Sequence, residues 1–268
     1  MPYQLTGLDQ IQIDYAHVCL SPHLDDAALS CGGALARYAA AGQPVLVVNV
    51  CSGSPPPGGP FSAFAASQHT RWALPADEAV ARRLAEDAEA LETLGADSLG
   101  LGLLDAIYRM PEAYADDATL FGPVAPGDTL AAAVAPLLRA LAARLPGAIF
   151  YAPLAVGGHV DHRAVYEVAG SLADAGVALA FYEDFPYARR AGAVEAQLEA
   201  LGGAAGFTPV VTEIGDMLER KVAAVGAYTS QLGTLFGDFD AMARDVEAYA
   251  RLRAPEGGRY GERVWVRL

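Results

Sequence analysis

Positive charge is scarce in this 268-residue chain: 18 lysines and arginines stand against 32 aspartates and glutamates, a formal net charge of -14 at pH 7. A surface this acidic repels a phosphate backbone, so no nucleic-acid partner is expected. Cysteine is scarce too. Cys19, Cys31 and Cys51 are an odd number at no metal-finger spacing, which argues against a disulfide framework. They read as small buried apolar residues of a protein in a reducing, cytoplasmic setting. No apolar run reaches the roughly 18–20 residues of a membrane span. Met1-Pro2-Tyr3-Gln4-Leu5 lacks the basic region and apolar stretch of a secretory leader. The Gly-x-Gly-x-x-Gly pattern is also missing, so Gly32-Gly33 carries no dinucleotide reading.

What is present is a foldable core: 53% of residues are hydrophobic and 19% charged, as in globular proteins. Strand-like and helix-like stretches alternate. The strand candidates are 16–20, 45–50, 99–103, 148–152, 178–182 and 263–267. Helical patterns cover 26–41, 77–94, 128–145, 161–175, 216–228 and 241–253. VLVVNV at 45–50 is continuously apolar, as in a strand covered on both faces. This alternation predicts an α/β fold, a Rossmann-like, doubly wound, mostly parallel sheet in one domain spanning 1–268. Sites in such sheets form beyond the carboxyl ends of strands. The segment 52–63 is too rich in proline and glycine for regular structure. It follows a strand and is expected over the site end of the sheet.

Two segments carry chemistry. Ser21-Pro22-His23-Leu24-Asp25-Asp26 follows the first strand and opens a helix. His23 and Asp26, three residues apart, can converge on one point, while Asp25 points elsewhere. A blander reading leaves either aspartate as a helix cap and His23 as a turn residue. Gly157-Gly158-His159-Val160-Asp161-His162 follows a later strand and opens another helix. Three of the five histidines lie in these segments. In a parallel sheet both loops open onto the same edge. Together they supply His23, Asp26 and His162 as three ligands with a position left for water, the pattern of a catalytic rather than structural metal. Nitrogen and oxygen donors suit Zn2+, with Fe2+ or another divalent ion as alternatives. Among the remaining candidates, His17 reads as a packed histidine inside a strand. His69 reads as a surface residue that could touch substrate. Tyr182, Glu183, Asp184 and Tyr187 follow a strand and could line the pocket.

The two segments resemble the Pro-His-x-Asp-Asp and His-x-Asp-His signatures of the PIG-L/LmbE-like family of metal-dependent N-deacetylases. Arg83-Leu84-Ala85-Glu86 looks like the family's Arg-x-x-Glu helix, and Leu101-Gly102-Leu103-Leu104-Asp105 like its Leu-Gly-x-x-Asp stretch. The resemblance runs from about Ala16 to Gln231. It implies His23, Asp26 and His162 as metal ligands and Asp25 as general base. It implies His159, protonated, as the residue that steadies the oxyanion, with the Asp161 carboxylate orienting it. Arg83 and Asp105 match positions near substrate. The chain departs from the family at Ala27, where many members carry Glu as an outer carboxylate. It departs again at Tyr228, often His, where a gating or substrate contact is expected to differ. The implied reaction is hydrolysis of an N-acetyl group on an aminosugar-containing small molecule. Alternatives are hydrolysis of another amide or ester, or a non-catalytic metal- and sugar-binding protein. No oligomeric state is assigned.

Overall fold

The computed structural model describes residues 2–72, 74 and 76–268. Among them the strands are β1 (Gln4–Leu5), β2 (His17–Ser21), β3 (Val45–Asn49), β4 (Asp97–Gly100), β5 (Ile149–Pro153), β6 (Leu179–Tyr182), β7 (Phe207–Glu213) and β8 (Gly261–Arg267). The helices are α1 (Asp26–Ala40), α2 (Ala63–Arg71), α3 (Ala76–Leu94), α4 (Ala106–Arg109), α5 (Asp117–Leu120), α6 (Leu130–Arg144), α7 (Val160–Asp174), α8 (Ala193–Ala200), α9 (Leu218–Gly226), α10 (Thr229–Leu235) and α11 (Phe239–Leu252). None is long and apolar enough to cross a membrane.

The strands form one sheet in the order β1-β4-β3-β2-β5-β6-β8-β7. Pairing is parallel from β1 to β6 and antiparallel for β8 and β7. The chain builds β2, β3 and β4 in one direction, then returns to place β5 on the other side of β2. That reversal is a topological switch point, where a doubly wound sheet opens a crevice.

Side-chain alternation gives each face its own core. Val18, Leu20, Leu46, Val48, Phe150 and Phe181 pack with residues of α6, α7 and α8. Cys19, Val45, Val47, Tyr151 and Tyr182 pack with α1, α3, α9 and α11 on the other face. The three cysteines are buried and free, as expected. Gly42 and Gly95 end α1 and α3 at φ of 77° and 79°, conformations that L side chains resist. Gly33 has a different role. A Cβ there would lie 2.7 Å from Cδ1 of Ile214, so the mid-helix glycine permits close packing.

The structure departs from the sequence reading in several places. The strand expected at 99–103 is β4, two residues earlier. The helix expected at 216–228 is α9, and a separate helix, α10, follows it where buried Glu86 accepts from the Ser230 amide and from the hydroxyls of Thr229 and Ser230. Those contacts hold the start of a second helix. β1, α2, α4, α5, α8 and α10 were not anticipated. Neither was β7, an edge strand with one buried residue in seven and Pro209 within it, a placement an edge tolerates.

Glu183 and His17 are buried polar groups away from the crevice. Glu183 accepts from Arg253 Nε at 2.7 Å, Arg263 Nε at 2.6 Å, Trp265 Nε1 at 3.0 Å and the Tyr249 hydroxyl. It ties β6 to β8 and α11 and does not line the crevice. Glu183→Ala strands two guanidinium groups, and urea unfolding is expected to show a loss of about 3–5 kcal/mol. His17 is packed, as expected: it stacks on Tyr38 at 3.9 Å, and its nitrogens meet Tyr151 Oη at 3.0 Å and Gln43 Oε1 at 3.2 Å. Burial lowers its pKa. A folded pKa below the unfolded value gives stability that is present above the unfolded pKa of about 6.5 and is lost as pH falls below it. His17→Phe is therefore expected to flatten the fall in stability between about pH 7 and pH 5. Paired urea titrations read this directly; identical slopes for the two proteins would contradict it.

Candidate active site

β2 and β5 are neighbours, so the loops leaving their carboxyl ends meet. After β2 the chain makes a tight turn. The Ser21 hydroxyl donates to the His23 carbonyl at 2.6 Å and accepts from the Ala27 amide at 3.0 Å. Asp26 Oδ2 accepts from the His23 amide at 2.8 Å. Asp25 occupies the N-cap of α1 but makes no side-chain cap bond, so its carboxylate is not spent on the helix. After β5, His159 caps α7, and Nδ1 of its ring accepts from the Asp161 amide at 3.2 Å.

These turns bring the predicted ligands together. Asp26 Oδ2 lies 3.3 Å from His23 Nδ1 and 3.2 Å from His162 Nε2. Donors about 2.0–2.2 Å from a tetrahedral ion are separated by about 3.3–3.6 Å, so the spacing fits a metal. The far nitrogens of both rings meet carboxylates: His23 Nε2 faces Asp161 Oδ2 at 3.0 Å, and His162 Nδ1 faces Asp184 Oδ1 at 2.7 Å. Such carboxylate–imidazole pairs fix ring orientation and tautomer behind a metal. Burial alone would lower both imidazoles. Hydrogen bonds that it donates to Asp161 and Asp26 nevertheless raise His23 well above the ordinary range. Asp26 and Asp184 raise His162 to about 10. The field where the three donors meet therefore favours positive charge.

Two other donor groupings are close. Ligand atoms of His23, His159 and His162 lie within 4.8 Å of one another, as do those of His23, Cys51 and Asp161. In the first, His159 Nδ1 is already committed to the Asp161 amide, and Asp26 sits nearer both other rings. In the second, burial and the Asp161 and Asp105 charges push the Cys51 thiol well up, against the thiolate a metal requires. His23, Asp26 and His162 remain the best-fitting set.

Asp25 stands beside this set. Burial raises its carboxyl above the ordinary range, against the pull of the Arg83 guanidinium at 3.7 Å. Arg83 also lies 5.3 Å above the Trp72 ring. It is Arg82, not Arg83, that pairs with Glu86. Asp105 serves two ends: Oδ1 accepts from the Ile107 amide at 3.2 Å, while Oδ2 lies 3.5 Å from His23 Nε2. A cleft of about 230 Å³ opens over these groups, lined by His23, Asp25, Asp26, Arg83, Asp105 and His159. Its outer walls come from α2, α5, α10 and the turn after β6, through Gln68, Trp72, Phe121, Gln231 and Tyr187.

A family profile described as GlcNAc-PI de-N-acetylase, PIG-L, matches residues 18–173. The chain belongs to the PIG-L family. Within the family, it is 33% identical to a 2'-N-acetylparomamine deacetylase of Streptomyces fradiae, over 92% of this chain and 88% of that protein. It is 32% identical to a deacetylase of teicoplanin biosynthesis solved in complex with teicoplanin, at a TM-score of 0.76, and the match covers 94% of this chain and 98% of that one. A zinc-inhibited form of teicoplanin deacetylase is 30% identical at a TM-score of 0.74, with the same coverage. The single-domain α/β architecture is that of these family structures.

Against this family background, several expectations change. The Asp161 carboxylate does not orient His159. It is fully buried on His23, Arg109 and the Ala106 amide; only its main-chain amide addresses His159. Burial and the neighbouring His23 charge push the His159 pKa well down. His69 is buried rather than on the surface, bonded to Tyr108 Oη at 2.6 Å. Tyr228 makes no gate: its buried hydroxyl donates to Asp87 at 2.8 Å, and burial pushes Asp87 up to about 7. The segment 52–63 does not line the main cleft, which takes its wall from the helix that follows. Sequence reasoning missed Arg109 and Asp128, whose only signal was an Asp-x-x-x-Arg spacing at Asp105 and Arg109. It also left Asp184 among undifferentiated loop residues.

Proposed function

We propose that this protein is a metal-dependent N-deacetylase that hydrolyses the N-acetyl group of an aminosugar-containing small molecule. The observation that carries the reading is the meeting of His23 Nδ1, Asp26 Oδ2 and His162 Nε2 under an open cleft, with the Asp25 carboxylate adjacent and uncommitted. The relatives named for deacetylation of 2'-N-acetylparomamine and for teicoplanin biosynthesis support the same class of substrate.

His23, Asp26 and His162 would hold a divalent ion, zinc by donor type with ferrous iron as the alternative. When bound, the ion polarises an acyl oxygen and lowers the pKa of water. The chain's own residues supply the proton handling. Asp25, with its affinity for protons raised by burial, takes one from the attacking water. The resulting carboxylic acid passes it to the departing amine nitrogen, and the C–N bond breaks. His159 accepts at Nδ1 from the Asp161 amide, so its remaining proton sits on Nε2, and that N–H hydrogen-bonds the acyl oxygen as charge develops there. Arg83 keeps the Asp25 carboxylate aimed from the wall of α3.

Acetate release from a panel of N-acetylated aminosugars tests the proposal. Release is expected from at least one, abolished by chelator and restored by metal. No release from any of them at full metal occupancy would favour a non-catalytic sugar-binding protein instead.

A further inference from the structure

Behind the candidate metal site lies a polar network that the reaction itself does not use. Arg109, on α4, forms a fork with Asp128: Nε to Oδ1 and Nη2 to Oδ2, both at 2.8 Å. The same Nη2 reaches Asp161 Oδ1 at 2.7 Å, and Nη1 donates to the Leu104 carbonyl at 2.6 Å. Asp128 is locked in turn by the Tyr114 hydroxyl at 2.6 Å and the Leu130 amide at 2.9 Å. Asp161 has no exposed surface. Its other oxygen accepts from the Ala106 amide at 3.1 Å and faces His23 Nε2 at 3.0 Å.

Every polar atom along this line is spoken for, and the line ends on a ring whose other nitrogen faces the metal position. We infer that Arg109, braced by Asp128, is a positioning residue that sets the Asp161 carboxylate and through it the orientation of His23 toward a divalent cation. The inference rests on the reading of His23 as a metal ligand.

The physical reason is the shape of guanidinium. A planar fork can satisfy two carboxylates in fixed directions at once, whereas a lysine ammonium offers a point charge that can follow either. Without the fork, Asp161 keeps one main-chain donor and is free to rotate about its last torsion. His23 then loses the partner that fixes its tautomer. Asp105 Oδ2, at 3.5 Å from the same nitrogen, becomes a competing acceptor that tilts the ring. The arrangement also joins the cleft wall to the cleft floor. Arg109, Tyr114 and Asp128 flank α5 along the chain, and its Asp117 and Leu120 line the outer cleft.

The test measures metal affinity directly, by competition between protein and a chromophoric chelator for Zn2+ and, separately, Co2+. Circular dichroism and thermal unfolding confirm that each variant is folded. Arg109→Lys is expected to weaken metal binding by about 10–100-fold, the usual effect of losing an outer partner of a metal-bound histidine. At saturating metal it should lower kcat with KM little changed, because no substrate contact is removed. Asp128→Asn keeps Arg109 and loosens only the brace, so it guards against misfolding of the first variant. It should shift affinity in the same direction by less. Metal affinity within about twofold of wild type in both folded variants would overturn the inference, since an outer-partner role predicts at least about tenfold. His23→Ala, measured in parallel, separates the two levels. If it loses metal while the Arg109 and Asp128 variants do not, only the positioning role falls. If it keeps metal at wild-type affinity, the ligand reading falls and this inference with it.

Discussion

Asp25→Asn is expected to bind metal as wild type does and to lose turnover by about 10²–10⁴-fold, the usual worth of a positioned general base. The substitution is nearly isosteric and removes only the capacity to take a proton. Asp25 has no cap bond to lose, and its oxygens do not belong to the best-fitting donor set. Its contact with Arg83, at 3.7 Å, is weakened but leaves an exposed route for the guanidinium to the cleft. Fold and metal content should therefore be unchanged while kcat collapses. Burial holds the Asp25 carboxyl above its ordinary range, which moves a carboxylate towards the basicity a near-neutral reaction needs. Steady-state rates on the best substrate of the acetate-release panel, with metal content measured on the same sample, decide the matter. Substantial turnover in metal-replete Asp25→Asn would remove Asp25 from the base role.

Asp26→Ala and His159→Ala are expected to fail in opposite ways. Both residues lie close to His23 and His162, and their nitrogens or oxygens compete as the third donor. Asp26 Oδ2 sits between the two rings at tetrahedral-edge distances, so its removal takes away one of three donors and an anionic charge. Metal affinity should fall by more than the roughly 100-fold typical of losing an outer partner, and activity with it. His159→Ala should keep the metal, because its Nδ1 is held by the Asp161 amide and the ring faces the cleft. Its expected cost is about 10²–10³-fold in kcat, that of one donor to a developing oxyanion. Elemental analysis after dialysis against weak chelator reads the difference. Metal retained by Asp26→Ala and lost by His159→Ala would reverse the two assignments.

Much of the site was legible because its chemistry is local. His23 and Asp26 are separated by one helical turn, and the same turn carries Asp25, so a short stretch of chain encodes both a donor pair and a free carboxylate. His159, Asp161 and His162 repeat the device at a second strand end. The partners behind them were not legible. Asp161 looked like the orienting carboxylate of its near neighbour His159. In the folded chain its carboxylate turns instead to His23, 138 residues away, and to Arg109. Asp184 was one polar residue among several after β6, and only the folded chain gives it to His162. Tyr228 and His69 gave the same kind of surprise: each polar side chain found a partner, Asp87 and Tyr108, that no spacing along the chain announces.

The sequence by itself determined the layered α/β architecture, because continuous apolar strands and amphipathic helices leave few other ways to cover a parallel sheet on both faces. It also determined which residues could bind a metal and which carboxylate could remain free, since those depend on residue type and on spacing within one turn. Only the tertiary structure decided that β2 and β5 lie side by side across the reversal of strand order, which brings the two histidine loops to one crevice. It decided as well which carboxylate backs which imidazole. Hydrogen bonds between groups far apart in sequence depend on register, side-chain direction and competition for each buried polar atom, and those are settled only when the whole chain has packed.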